Sequence, residues 1–204
     1  KNAGTYMKSA PTFSDIKSVF AGLRPLAAPE NNKKATKEIS RHHKVTVSMS
    51  GLISILGGKW TTYRKMAEDT VNTAQSVAGL QDRECITHNL PIHGYDYSSN
   101  WKNPMHFYGT DIEKIENLNI EGNSSISEEF FISKNQIIWS IRNEMAMNLE
   151  DVMARRTRSL FLNAKESLRI APKVLEIMAK EMKKDKNWIK NESTNFEKLA
   201  KNYI

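Results

Sequence analysis

Cysteine is nearly absent: Cys85 is the single one in 204 residues. It cannot close an internal disulfide, and neither a zinc cluster nor a haem-attachment pair can be assembled around it, so it reads as a small buried hydrophobe. No window approaches the roughly 18 uninterrupted apolar residues of a membrane-spanning helix, and no charged-then-apolar leader opens the chain. The default location is therefore cytoplasmic. An initiator methionine is missing as well, since the sequence starts at Lys1, and it reads like a piece of something larger. No internal repeat is visible.

What is present suffices for a packed interior. With 39% hydrophobic and 26% charged residues and a mean hydropathy of -0.56, the chain is of the globular class, long enough for one large domain or two small ones. The formal net charge is +7, and all of the excess lies in residues 1–80, which hold 12 Lys and Arg against 5 Asp and Glu. Residues 81–204 are balanced at 18 of each sign. A basic first part followed by a neutral remainder fits an anion-handling site in one region better than a groove over the whole surface.

Along the chain, Ile16 to Leu26 alternates large and small residues up to Pro25 and predicts a strand. Residues 28–38 are polar and predict an exposed loop. Val45 and Val47 alternate with Thr46 and Ser48, and Leu52 to Leu56 is a short apolar run ending at Gly57 and Gly58; both predict strands. Residues 61–78 lack glycine and proline, and predict a helix stopped by Gly79. Between residues 80 and 108 the sequence is irregular and reads as a structured linker. Beyond it every segment is helical in pattern. Three helix starts are legible as pairs of capping residues: Thr110 with Glu113, Ser133 with Gln136, and Asn163 with Glu166. Apolar stripes follow at Ile137, Ile141 and Met145, at Leu175, Met178 and Met182, and at Phe196, Leu199, Ala200 and Tyr203. Methionines at this spacing read as core filling. Pro172 is expected to divide the stretch from Asn163 to Met182 into two helices. The fold class is α+β: residues 1–80 with strands and one helix, a linker at 81–107, and a helical domain over 108–204.

The run Gly57-Gly58-Lys59-Trp60-Thr61-Thr62-Tyr63-Arg64 sits where an apolar strand meets the first turn of a helix. Paired glycines let a ligand approach the backbone, free amides at a helix start favour negative charge, and Lys59 adds a full positive charge. The alternative reading is a tight turn. Walker-type spacing is absent. Arg24 and Arg41 fall at strand ends, where two planar guanidinium groups can clamp a small phosphate ester, or simply face solvent. Arg155, Arg156 and Arg158 read as locally paired, and Lys180 to Lys186 as a solvated helix end.

These stretches carry a resemblance. Ala21-Gly22-Leu23-Arg24-Pro25-Leu26, Ser40-Arg41-His42-His43, Gly57 to Arg64, and Arg142 to Ala146 continuing through Leu149 to Arg158 occur in the order and approximate spacing found in the FAD-dependent glycerol-3-phosphate dehydrogenases, whose C-terminal part the chain resembles. The resemblance implies oxidation of sn-glycerol 3-phosphate to dihydroxyacetone phosphate with hydride transfer to FAD, and electrons passed to quinone at a membrane surface, the enzyme lying peripherally on its inner face. It implies that Arg24 and Arg41 bind the substrate phosphate, that Lys59 contacts substrate and flavin as a catalytic residue, and that Gly57, Gly58, Trp60, Thr61 and Thr62 bind the cofactor.

The Gly-x-Gly-x-x-Gly fingerprint for the FAD pyrophosphate is absent, so the N-terminal half of the same enzyme is an implied partner. The catalytic base is expected outside this chain. His42, His43, His88, His93 and His106 each read as a solvent or packing histidine. The fragment alone is expected neither to hold FAD nor to turn over. Two alternatives stand beside this reading: a glycerol-3-phosphate oxidase using oxygen, and a basic helical module without chemistry that binds a partner protein or nucleic acid. The dehydrogenase reading expects no nucleic acid and no metal.

Overall fold

The computed structural model describes residues 3–23, 42–118, 125–127 and 129–204. It divides into two compact units, one formed by Lys1–Ala21 with His93–Ile204 and the other by Gly22–Ile92. The architecture is α+β and mostly helical.

The smaller unit holds an antiparallel pair of strands, β1 (Lys44–Val47) and β2 (Ile53–Leu56), in the register Val45 opposite Ile55 and Val47 opposite Ile53. Helix α1 (Tyr63–Ala78) follows. It ends as expected at Gly79, whose φ of 61° lets its N–H turn back to the carbonyls of Gln75 and Ser76.

The larger unit contains α2 (Ile112–Glu116), α3 (Lys134–Asn143), a π-helical turn (Asp151–Arg156), α4 (Ser159–Leu162), α5 (Ala164–Met182) and α6 (Lys186–Ala200). Its main core is built from Ile137, Leu149, Val152, Met153, Leu160, Val174, Leu175, Met178 and Phe196, among others. A second cluster joins Tyr108, Ile115 and Trp139. The stripes read at Leu175 to Met182 and Phe196 to Tyr203 face this core.

Two of the three caps form. Ser133 accepts from the Gln136 N–H while the Gln136 side chain accepts from the Ser133 N–H at 2.7 Å, and Asn163 accepts from the Glu166 N–H at 3.2 Å. The third does not. Thr110 lies inside a 3-10 segment (His106–Asp111), and α2 starts one residue later behind Asp111, whose carboxylate is taken by His93 at 2.5 Å and Lys114 at 2.7 Å.

Pro172 does not divide its helix. α5 runs unbroken over Ala164–Met182 because Pro172 sits on its exposed side, opposite the buried row of Ile170, Val174 and Met178. The missing hydrogen bond costs about 3 kcal/mol in a helix interior, and burial of that row exceeds this. Met145 departs from its expected stripe: α3 stops at Asn143, Met145 takes a left-handed φ of 56°, and its side chain is 79% exposed. Two of the three arginines are paired as expected, Arg155 with Glu150 and Asp151, and Arg156 with the Glu144 carbonyl.

The strand expected at Ile16 to Leu26 is absent over its described part, residues 16–23. Its polar groups go to helix ends instead of to another strand. The Lys17 carbonyl accepts from Ala164 N–H at 3.1 Å, Ser18 Oγ donates to the Leu160 carbonyl at 2.8 Å, and Val19 N–H donates to the Tyr203 carbonyl at 2.9 Å. Helix ends leave such groups unpaired, and this segment, a strap, satisfies them. Phe20 lies edge-on to Phe161 at 4.8 Å, and Lys17 pairs with Glu129. The remainder of that expected strand and the polar loop at 28–38 lie outside the described residues.

Two expectations follow. Met178→Ala should lower the unfolding free energy by about 2–5 kcal/mol, whereas Met145→Ala should change it by less than about 0.5 kcal/mol; denaturant titration of both variants checks this. Glu166 is held at about 2 by the Arg169 guanidinium, with a further hydrogen bond from Ser127. Its ionised form therefore contributes stability above its ordinary value of 4.5, and that contribution is lost as pH falls from there toward about 2. Glu166→Gln should flatten the fall in melting temperature over that range.

Candidate functional site

The site is a junction. β2 ends at Leu56, Gly57 and Gly58 follow with φ of 73° and 92°, and Lys59 begins a 3-10 turn (Trp60–Thr62) that runs directly into α1. Both glycine conformations are left-handed, so a side chain at either position would strain the backbone. At Gly58 a β-carbon would also meet Met66 Sδ at 2.5 Å and Cε at 2.6 Å, with His43 Cβ at 3.4 Å. The tight-turn reading holds for the backbone: Gly58 lets the chain reverse and lets α1 pack on the turn.

The helix start carries no side-chain cap at either Lys59 or Thr62. Thr62 turns its N–H and its hydroxyl onto the Lys59 carbonyl, at 2.9 and 3.0 Å. Trp60 stacks on Tyr63 with ring centres 5.7 Å apart and is 87% exposed. Thr61 and Lys59 are exposed too, and among the described residues no carboxylate pairs with the Lys59 ammonium.

Two neighbouring cations, Arg64 and Lys65, are engaged. Arg64 donates to Glu68 at 2.5 Å and to Thr87 at 3.2 Å, and Lys65 reaches Glu68 at 3.0 Å and Asp69 at 2.9 Å. Lys65 and then Arg64 hold the Glu68 carboxyl below its usual range, and Lys65 and then His43 do the same for Asp69. His43 is half-buried with Nε2 at 2.8 Å from Asp69, tying the approach to β1 onto α1. This pair escaped sequence reasoning, because 26 residues separate its members; only the Met66 and Asp69 spacing on one face of α1 hints at what β1 meets. Arg24 and Arg41 lie outside the described residues.

Cys85 is half-buried, not buried: Sγ lies 3.0 Å from Thr87 Oγ1 and 3.9 Å from Arg64 Nη1. The thiol takes part in this polar surface cluster, which outweighs its apolar character. Among the described residues no group of His, Cys, Asp and Glu could hold a metal ion, and no helix is long and apolar enough to cross a membrane.

Together, Gly57 to Thr62 form a positively charged helix start without a side-chain cap, where the Lys59 ammonium has no carboxylate partner among the described residues and stands beside an exposed indole. Such an arrangement attracts an anion and offers an aromatic face.

Residues 85–188 match the family described as the C-terminal domain of alpha-glycerophosphate oxidase. The probable mitochondrial glycerol-3-phosphate dehydrogenase of Dictyostelium discoideum is 33% identical over 94% of this chain and 33% of its own length. That of Caenorhabditis elegans is 34% identical over 82% of this chain and 26% of its own, and the mitochondrial enzyme of Arabidopsis thaliana 31% over 88% and 34%. The chain thus spans about a quarter to a third of the length of these curated relatives.

Gly58→Ala should lower the unfolding free energy by about 1–2 kcal/mol, mostly through its φ, since the Met66 thioether can swing aside. Adding Met66→Ala should restore only a minor part. Full restoration in thermal unfolding would place the cost in the side-chain clash instead.

Proposed function

The chain belongs to the family of C-terminal domains of alpha-glycerophosphate oxidase, and on that footing we propose that it is the C-terminal part of an FAD-dependent enzyme oxidising sn-glycerol 3-phosphate to dihydroxyacetone phosphate. The observation that carries this reading is the unpaired Lys59 at an uncapped helix start directly after Gly57 and Gly58. The names of the relatives, glycerol-3-phosphate dehydrogenases, support the substrate.

Oxidation removes a hydride from C2 of the substrate and a proton from its hydroxyl. FAD, when bound, supplies the hydride acceptor and passes the electrons to quinone. The residues present fit its ring end. Gly57 and Gly58 bring bare backbone to the junction, Trp60, Thr61 and Thr62 are exposed beside it, and the helix start favours negative charge. Lys59 holds the substrate close to that ring and stabilises the same charge. Arg24 and Arg41 take the phosphate through bidentate hydrogen bonds, which neither a lysine nor a hydroxyl supplies.

The pyrophosphate contacts and the base that takes the hydroxyl proton come from the part of the enzyme that the relatives have and this sequence does not include. Without that part the chain neither retains FAD nor turns over. In this assignment the unit of Gly22–Ile92 belongs to the FAD and substrate domain, and the helical unit is the C-terminal domain. The quinone acceptor places the whole enzyme peripherally at a membrane surface, and the relatives' names carry the word mitochondrial. The family's own description favours a second reading of the acceptor, as oxygen; dye reduction without oxygen against peroxide formation with it separates the two.

In the complete enzyme carrying this chain, Arg24→Ala, Arg41→Ala and Lys59→Ala should each lower kcat/KM for glycerol 3-phosphate by roughly 100-fold, with bound flavin reduced least in the arginine variants. Lys184→Ala, an exposed lysine of the helical unit, should stay within about twofold. Equal losses at all four positions would sink the assignment.

A further inference from the structure

No described residue of the smaller unit is buried, so no apolar core fixes the turn that carries Lys59. The start of α1 lacks a side-chain cap that could fix it instead. What meets the turn is a pair of side chains from elsewhere in the unit. The atoms nearest to the bare face of Gly58 are Met66 Sδ and Cε and His43 Cβ, at 2.5, 2.6 and 3.4 Å from where a β-carbon would stand. Met66 is a flexible thioether and adapts to whatever faces it. His43 is held. Its Nε2 lies 2.8 Å from Asp69 Oδ2, and Asp69 Oδ1 is in turn 2.9 Å from Lys65 Nζ. Lys65 also reaches Glu68 at 3.0 Å, and Glu68 pairs with Arg64. A row of mutually fixed groups thus runs from α1 through His43 to Gly58, one residue before Lys59, and all of it lies within the unit Gly22–Ile92.

We propose that His43 is a positioning residue for Lys59: tied to Asp69, it packs against the bare face of Gly58 and holds the turn that presents the Lys59 ammonium to the substrate. This rests on the reading of Lys59 given under Proposed function. A lysine reaches its target on a flexible four-carbon stem, so looseness at its root adds to that of the stem and the ordering entropy is charged against each binding event. Gly57 and Gly58 leave that root pliant unless something packs on it. The His43–Asp69 pair supplies this constraint while Lys59 itself stays exposed.

The test uses the complete enzyme. His43→Ala should lower kcat/KM for glycerol 3-phosphate about tenfold. His43→Gln places an amide nitrogen near the position of Nε2, keeps a donor for Asp69, and should recover kcat/KM to within about threefold of the parent. His43→Asn is too short to reach Asp69, should behave like the alanine variant, and covers the case in which His43→Ala fails to fold. The double variant decides between a positioning and a merely structural role. Because His43 acts through Lys59, adding His43→Ala to Lys59→Ala should cost less than about twofold beyond Lys59→Ala alone, whereas independent losses multiply. If the losses multiply, if His43→Gln is no better than His43→Asn, or if His43→Ala leaves kcat/KM unchanged, the positioning role is overturned and the reading of Lys59 stands. If Lys59→Ala itself leaves kcat/KM unchanged, that reading falls first and takes this inference with it.

Discussion

The helical unit depends on one apolar surface, the buried row of α5 that runs from Ala164 through Ile170, Val174 and Leu175 to Met178. α3, α4 and α6 all pack on this helix, and the π-helical turn adds Val152, Met153 and Ala154 to the same core. The row explains why a proline is tolerated in its middle, since burial along one face continues without a break past a lost bond on the other. It also sets where charges go. Arg142 on α3 forms a bidentate pair with Glu181 on α5, at 2.6 and 3.0 Å, outside the apolar seam.

The smaller unit is organised differently. None of its described residues is buried, and it is held by backbone turning at Gly57 and Gly58, by the β1–β2 ladder, and by polar ties such as His43 with Asp69. A unit of this kind supplies little hydrophobic stabilisation of its own. What it offers is surface chemistry: a helix start where Glu68 and Asp69 neutralise Arg64 and Lys65, while among the described residues no carboxylate pairs with Lys59.

Within the larger unit the strap serves the helix ends. Groups left open at the ends of α4, α5 and the C-terminal turn are satisfied by one short extended segment.

Local chemistry was legible wherever it decides the outcome by itself. The two strands, the glycine stop at Gly79, the caps at Ser133 and Asn163, the α5 and α6 stripes and the strand-to-helix junction could all be read from spacing and residue type, because each is settled within a few residues. The readings that failed are those where a distant partner competes. Ile16 to Phe20 has the pattern of a strand but meets helix ends instead of another strand, Thr110 loses its cap role to a start set by Asp111, and Met145 leaves its stripe because α3 stops short of it. Cys85 is drawn into a polar cluster by Arg64 and Thr87. By itself the sequence determined the α+β class, the family and the cationic junction at Gly57 to Thr62. Only the tertiary structure decided that the first residues belong to the helical unit, that Pro172 stays within one helix and that Met66 packs against Gly58. The physical reason is that the unpaired groups of a helix end, or the bare face of a glycine, can be met from any point in the chain, and spacing records only near neighbours.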